Sequence, residues 1–226
     1  MAIHGITRRG ALKTAWRGAL AATATFGLAG RGMAGILDSL GVTKLLGNAS
    51  DGALTKLAAP DGFYRDVAVR ILLPGTTGKL ARKIMAQGDK LGLTTKLTKS
   101  LNDAASLAAN EAKPIFRSAI DGLKLSDVPD LALNKQGGTQ YLQKTAGTEL
   151  QAKVRPLIAA ALTKVGAYDQ LAKLGKTGSL LGSLGISNDR LTDSVASQAL
   201  KGIFNYMGTE EANLRANPGK ILDKVF

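Results

Sequence analysis

Apolar residues recur at helical spacing along most of this sequence. The most regular run extends from about Asp189 to Leu214, where Ala196, Leu200, Ile203 and Met207 stand at i, i+4, i+7 and i+11. No long alternation of apolar and polar residues, the pattern of a half-buried strand, occurs in the chain. The sequence therefore predicts an all-α fold: a single compact multi-helix domain with proline-kinked helices, after an N-terminal signal segment.

Capping residues and prolines divide the other predicted helices. Ser100 and Asn102 are placed to cap a helix, and Pro114 then forces a kink or a restart. Thr139 opens the longest helical stretch, in which Pro156 predicts either a kink or a division into two helices. Because only 4% of the residues are aromatic, the core must be built mainly from Leu, Ala, Val and Ile.

The first 34 residues have the layout of an export signal, with a basic region, a short apolar stretch and a small-residue cleavage site. Paired arginines followed by Leu and Lys resemble the twin-arginine motif. The apolar stretch, Gly18–Gly30, is shorter than the roughly 20 residues that cross a bilayer, so no stable transmembrane anchor is predicted. The residues that carry this prediction are Arg8, Arg9, Leu12, Lys13 and, for cleavage, Ala34.

The signal prediction divides the chain into residues 1–34, an export signal peptide, and residues 35–226, a single helical domain of unknown function. It places the mature protein in the periplasm or outside the cell. The same basic and apolar residues also fit a general secretory signal or an organelle transit peptide, and Gly30 is an alternative cleavage position.

The residues missing from the mature part exclude whole classes of chemistry. The chain has no Cys, and its one His, His4, and one Trp, Trp16, lie in the predicted signal. Disulfides, thiolate and Ser-His nucleophiles, and Cys- or His-ligated metals are therefore excluded from the mature chain. We expect no metal site and no cofactor.

The chain is basic, with a formal net charge of +13. The predicted signal contains five of the 30 Lys and Arg residues and no acid, which leaves 25 basic against 17 acidic residues. This excess favours anionic partners such as an envelope protein or an anionic lipid. The basic stretch Lys79–Lys99 could dock on an anionic membrane surface or form an ordinary solvated face. It contains no aromatic residues to stack on bases, so nucleic acid is not an expected partner.

Arg70 is the most conspicuous charged residue, because it lies in the apolar run Val67–Gly75. That run could be a strand or an extended buried segment. A buried guanidinium needs a carboxylate partner, for which Glu111 is the candidate. Such a charge marks either an internal ion pair or a polar pocket. The same two interpretations apply to Lys113, Arg117, Arg155, Asp193, Glu211 and Arg215.

Several short motifs follow one another along the mature chain. They are DGFY at 61–64, VRILLPG at 69–75, EAKPIF at 111–116, RPLIAAAL at 155–162, SQALKGIFNYM at 197–207 and RANPGKILDKVF at 215–226. Together with the leader they resemble the exported bacterial family catalogued as domain of unknown function 4197. The resemblance implies an exported helical domain and no particular activity.

Three functions remain open. The favoured one is a non-enzymatic exported helical protein that binds an envelope partner or a small ligand. A metal-independent enzyme would use Asp, Glu, Lys and Arg, and would require Arg70, Glu111, Lys113 and Arg155 to converge on one open cleft. A peripheral protein would use the Lys79–Lys99 face on anionic membranes.

Overall fold

A computed structural model describes residues 29–74, 92–124, 134–176 and 186–217, with all side chains except those of residues 29–40, 93, 175 and 176. These ranges contain helices and irregular connections but no strand, which confirms the all-α prediction. The helices are α1 (Ala29–Ala58), α2 (Leu93–Glu111), α3 (Lys113–Asp121), α4 (Gly137–Lys164), α5 (Ala167–Lys176) and α6 (Asn188–Ala216).

Helix α6 lies at the centre of the packing, with its most extensive contacts to α1 and α4. Its predicted stripe is buried, and Ser187 caps its first turn by accepting a hydrogen bond from the Arg190 N–H. The core is built mainly from Leu and Ala, supplemented by three phenylalanines. Two of these, Phe116 and Phe204, pack with ring centroids 6.0 Å apart and tilted by 59°.

Two boundary predictions are revised. Helix α2 begins at Leu93 and not at Ser100; the residue before it, Gly92, has a left-handed φ of 66° that suits glycine and lies outside the helix. Ser100 and Asn102 therefore lie inside the helix. Helix α4 continues through Pro156 and does not divide into two helices. Pro114 restarts the chain as expected, since it lies in the first turn of α3, where the missing N–H is tolerated.

The run Val67–Gly75 forms no strand and is only partly buried as far as it is described, to Pro74: residues 67–69 make a turn, the side chains of Val69, Ile71 and Leu73 are buried, and those of Val67 and Leu72 are exposed. Its backbone groups bond to two side-chain carboxamides. Asn102 of α2 accepts from the Ile71 N–H at 2.8 Å and donates to its carbonyl at 2.9 Å. Gln198 of α6 bonds both backbone groups of Leu72 in the same way, at 3.0 and 2.9 Å. Two helices thus hold one segment between them without a β-sheet.

Some predictions fall on residues outside the described ranges. Arg8, Arg9, Leu12 and Lys13 lie there, and Ala34 lies in the backbone of α1 with its side chain undescribed. Most of the basic stretch Lys79–Lys99 lies there as well. No described helix is long and apolar enough to cross a membrane.

Candidate functional site

Two polar stripes face each other where the start of α4 passes the middle of α6. Gln136, Gln140 and Gln143 are spaced at i, i+4 and i+7 on the α4 side, and Gln198, Lys201 and Asn205 at i, i+3 and i+7 on the α6 side. The segment 68–70 closes a third wall. These elements line a cleft of about 450 Å³ that is open to solvent. Its size lies in the range of roughly 300–1,000 Å³ that is typical of small-molecule sites.

Arg70 lies in this cleft, held by the segment before it. Its Nε donates to the Tyr64 carbonyl at 2.6 Å, and its guanidinium lies 5.0 Å from the centroid of the Tyr64 ring. The described residues provide no carboxylate partner for it, and Glu111 is exposed at the end of α2. The predicted Arg70–Glu111 ion pair is therefore wrong. Its guanidinium is stabilised by a carbonyl and a ring, and its terminal nitrogens make no hydrogen bond with described residues.

A hydrogen bond between Asp66 and Tyr206 attaches the segment that carries Arg70 to helix α6. The Tyr206 hydroxyl donates to Asp66 at 2.7 Å, and Asp66 also accepts from the Ala68 N–H at 2.9 Å. The bond to Asp66 raises the pKa of Tyr206 to about 12. The Tyr206 hydroxyl, and after it the Ala68 N–H, lower the pKa of Asp66 below its usual value. Both effects favour the ionised carboxylate and the neutral phenol at neutral pH.

The charges that line the cleft have one sign. Arg70 and the exposed Lys201 contribute two cations, and the described lining contains no carboxylate. Lys201 forms no ion pair with any described residue. The lining has no imidazole or acid that could serve as a general base, and Thr139 supplies its only hydroxyl. This arrangement can attract and hydrogen-bond an anion.

Thr139 stands out within the lining. It is 3% exposed, and its Oγ1 makes no hydrogen bond with any described residue. Leaving a buried hydroxyl unpaired costs about 1–3 kcal/mol. Its backbone N–H, by contrast, is bonded to Glu211.

Glu211 is buried behind the cleft and caps α4. It is 0% exposed and accepts from the Gly138 and Thr139 N–H groups at 3.0 and 2.8 Å. Arg215, one turn later, bonds it through Nε at 3.0 Å and Nη2 at 2.8 Å. A Cβ on Gly138 would lie 2.7 Å from Leu46 Cδ2 and 3.0 Å from Glu211 Oε1, so the cap requires glycine there. Of the two interpretations predicted for Glu211 and Arg215, an internal ion pair or a polar pocket, the structure shows the ion pair.

The remaining predicted residues lie in ion pairs or apart from the cleft. Arg155 of α4 bonds Asp193 at 2.5 Å and Asp189 at 3.0 Å, which raises the Arg155 pKa. Arg117 bonds Asp51 of α1 through two nitrogens, at 3.2 and 2.5 Å, and the Asp51 carboxylate raises its pKa. Lys113 is half-buried at the start of α3 and does not line the cleft.

Of the four residues that the enzyme alternative required, only Arg70 lines the cleft. The part of the chain that the structure describes also contains no group of three potential metal-ligating side chains. Sequence reasoning missed the amide residues of the cleft and Lys201. The available signal was the spacing of the polar residues, at i, i+4 and i+7 in the α4 set and at i, i+3 and i+7 in the α6 set.

The family described as Protein of unknown function (DUF4197) matches residues 38–226 of the chain. The match confirms the resemblance drawn from the motifs. No curated protein and no solved structure matches the chain.

Proposed function

Because the chain belongs to the DUF4197 family, whose description assigns no activity, we propose from the geometry that it is an exported, non-enzymatic binding protein whose cleft takes a small anionic ligand. The observation that carries the proposal is the pairing of charges. Arg70 and Lys201 line the cleft without a described acidic partner, whereas the other predicted site arginines, 117, 155 and 215, are bonded to carboxylates. An anion in the cleft would supply the missing charge.

The electrostatics of the site support an anion over a cation. Glu211 lies directly behind Thr139, but Arg215 balances it through two hydrogen bonds. The net contribution of the cleft and the groups behind it is therefore positive. The cleft opens to solvent beside the exposed Lys201, so an ionic ligand can exchange without a large rearrangement of the helices.

The leader supports the exported part of the proposal. Arg8 and Arg9 with Leu12 and Lys13 form a twin-arginine-like signal, and the family match begins just after the proposed cleavage at Ala34. We expect the mature chain to begin at Gly35 in the periplasm. Intact-mass measurement of the exported protein tests the cleavage site, and R8K/R9K should retain the precursor in the cytoplasm. Cleavage and export of R8K/R9K at the normal rate would contradict the twin-arginine route.

The other two functions lack comparable support. The enzyme alternative needed convergence of Arg70, Glu111, Lys113 and Arg155, and three of these lie away from the cleft. For the membrane alternative, Lys99 bonds Asp103 and also pairs with Asp61, which raises its pKa and engages its charge within the fold. Lys96 remains exposed. We therefore propose neither the enzyme nor the membrane-surface protein as a second function.

The test is native mass spectrometry of the mature protein purified from its own envelope, recorded before and after denaturation. We expect a small anion that is released on denaturation and is absent from the double variant R70Q/K201Q. R155Q is the matched control, because it removes a cation of α4 that lies outside the cleft, and it should keep the ligand. The proposal fails if R70Q/K201Q retains the ligand, or if the chain carries none and binds none of the anions titrated below.

A further inference from the structure

We propose that the ligand of this cleft is a polyhydroxylated anion, a sugar ring that carries a carboxylate or a phosphate. The inference rests on the proposed function and specifies the ligand class at the same site. It follows from the hydrogen-bonding capacity that remains unused in the cleft once its internal bonds are counted.

The side-chain carboxamides of the cleft differ in how many of their hydrogen-bond donors and acceptors remain unused. The Gln198 amide nitrogen donates to Leu72 and Ser194 and its oxygen accepts from Leu72, and the Gln140 oxygen accepts from Asn134 at 3.0 Å. The side-chain amides that make no hydrogen bond with described residues are those of Gln136, Gln143 and Asn205. Each of these free amides offers a donor and an acceptor together.

A simple anion would leave half of this capacity unused. Carboxylate and phosphate oxygens accept hydrogen bonds, so they would pair with Arg70, Lys201 and the amide N–H groups. The amide oxygens would gain nothing from such a ligand. A hydroxyl both donates and accepts, so a ring bearing several of them matches the amides of two facing helices.

Thr139 provides the second, independent observation. Its buried Oγ1 has no described partner although the residue lines the cleft. Because this oxygen is closed to solvent, a ligand hydroxyl would become its partner through a small shift of the lining that opens Oγ1 to the cleft.

An alkyl anion fits this lining poorly. The apolar side chains of the lining, Val69 and Phe204, are each only 5% exposed, so an alkyl chain would also have to cover amides and charges. Burying those polar groups against hydrocarbon is unfavourable because their hydrogen bonds to water would be lost. The chemistry of the site therefore favours a small oxygen-rich ligand.

The experiment is calorimetric titration of the mature protein, freed of bound material by denaturation and refolding, with four probes. These are glucuronate, glucose 6-phosphate, glucose and acetate. We expect glucuronate or glucose 6-phosphate to bind at least about tenfold more tightly than either glucose or acetate, since each hydroxyl bond adds to the ionic contact. The stronger of the two anionic sugars identifies the carboxylate or the phosphate form.

Two outcomes separate the two proposals. If acetate binds as tightly as glucuronate and glucose 6-phosphate, the cleft recognises only the charge of the ligand. The polyhydroxyl inference then fails, while the proposed function stands. If no anion binds to protein with a native circular dichroism spectrum, both fail. Glucose that binds as tightly as the anionic sugars would overturn the role of Arg70 and Lys201.

Two substitutions test the hydroxyl contacts without removing a charge. Q143M keeps the size of an exposed side chain, and T139V replaces the unpaired hydroxyl by a methyl group of similar shape. Each should weaken binding of the preferred anionic sugar about three- to tenfold and leave acetate binding unchanged. Equal affinity of both variants and the parent protein for that sugar would overturn the inference.

Discussion

Helices α4 and α6 meet in two kinds of polar region, and these differ in whether their charges are paired. At the two ends of the contact, Arg155 bonds Asp189 and Asp193, and Glu211 bonds Arg215 and the start of α4. Between these ends lies the cleft, which is lined by Lys201 and Arg70 and by no described carboxylate. The paired groups are satisfied by the fold, so their removal should change stability. The unpaired groups contribute little to the fold, so their removal should change binding.

The largest loss of stability is expected from E211A. It leaves Arg215 without its buried partner, and the Gly138 and Thr139 N–H groups without their acceptor. Breaking a buried ion pair from one side costs about 3–5 kcal/mol. Urea unfolding followed by circular dichroism at 222 nm measures the change in the free energy of unfolding.

The adjacent E210A is the control for that measurement. Glu210 pairs with Lys56, whose side chain is 59% exposed, so its loss should cost less than about 1 kcal/mol. Similar losses of stability for E211A and E210A would mean that the contacts of Glu211 with Arg215 and the start of α4 add little to the stability of the fold. The distinction between stabilising paired charges and unpaired cleft charges would then no longer hold.

A smaller loss is expected from N102L, which retains the side-chain size but removes the carboxamide. Asn102 is 1% exposed, and its loss leaves both backbone groups of Ile71 unpaired inside the protein. We expect a loss of about 2–3 kcal/mol. Q198L is the matched variant, because Gln198 makes the same two bonds to Leu72 where water can replace it. An equal cost for both substitutions would show that burial does not determine the strength of these clamps.

A third pair of variants probes the close approach at the α4 cap. The Cβ of G138A would press on Leu46 and Glu211, and overpacking of this kind costs about 1–3 kcal/mol. In G147A on the same helix, the nearest atom would be Gln143 Cγ at 3.9 Å, so the higher helix propensity of Ala should raise stability slightly. Thermal unfolding of the two variants should therefore shift in opposite directions. Destabilisation by both would indicate an effect of the helix and not of the cap.

The helical fold was predictable because its signal is local. The stripe through Ala196, Leu200, Ile203 and Met207 needs only the period of one helix, and α6 matches it closely. The start of α2 was misplaced because Ser100 and Asn102 have the composition of caps but lie inside the helix. Asn102 is instead used for a contact with Ile71, which is distant in sequence and leaves no local periodicity.

The candidate site was only partly predictable for the same reason. Arg70, Glu211 and Arg155 were recognised as charges that needed an explanation, but their partners depend on which elements meet. The expected Arg70–Glu111 pair failed because the Arg70 side chain bonds the Tyr64 carbonyl of its own connection beside the cleft, whereas Glu111 is exposed at the end of α2. The facing amides of Gln143 and Asn205 acquire meaning only when the two helices are placed side by side.

A pH-dependent difference of about 1 kcal/mol is expected between the parent protein and Y206F. The folded-state pKa of Asp66 is lowered, so its contribution is present above the ordinary carboxylate pKa of about 4 and is lost as pH falls below it. The pKa of Tyr206 is raised from 10.0 to about 12, so its contribution is complete below pH 10 and is lost as pH rises toward about 12. The difference in melting temperature should therefore be greatest near neutral pH. A constant difference across this range would contradict the Tyr206–Asp66 bond.

The smallest change in stability is expected from K201Q. Lys201 is exposed and forms no ion pair with described residues, so its removal should alter the free energy of unfolding by less than about 0.5 kcal/mol. R155Q, which loses two carboxylate partners, should destabilise the protein more, and this excess should shrink in 1 M salt, where the Debye length is about 3 Å. Denaturant unfolding at low and high salt compares the two directly. If K201Q were destabilising in the same salt-dependent way, Lys201 would have an acidic partner in the native protein, and the cleft would lack the unbalanced charge that distinguishes it from the paired ends.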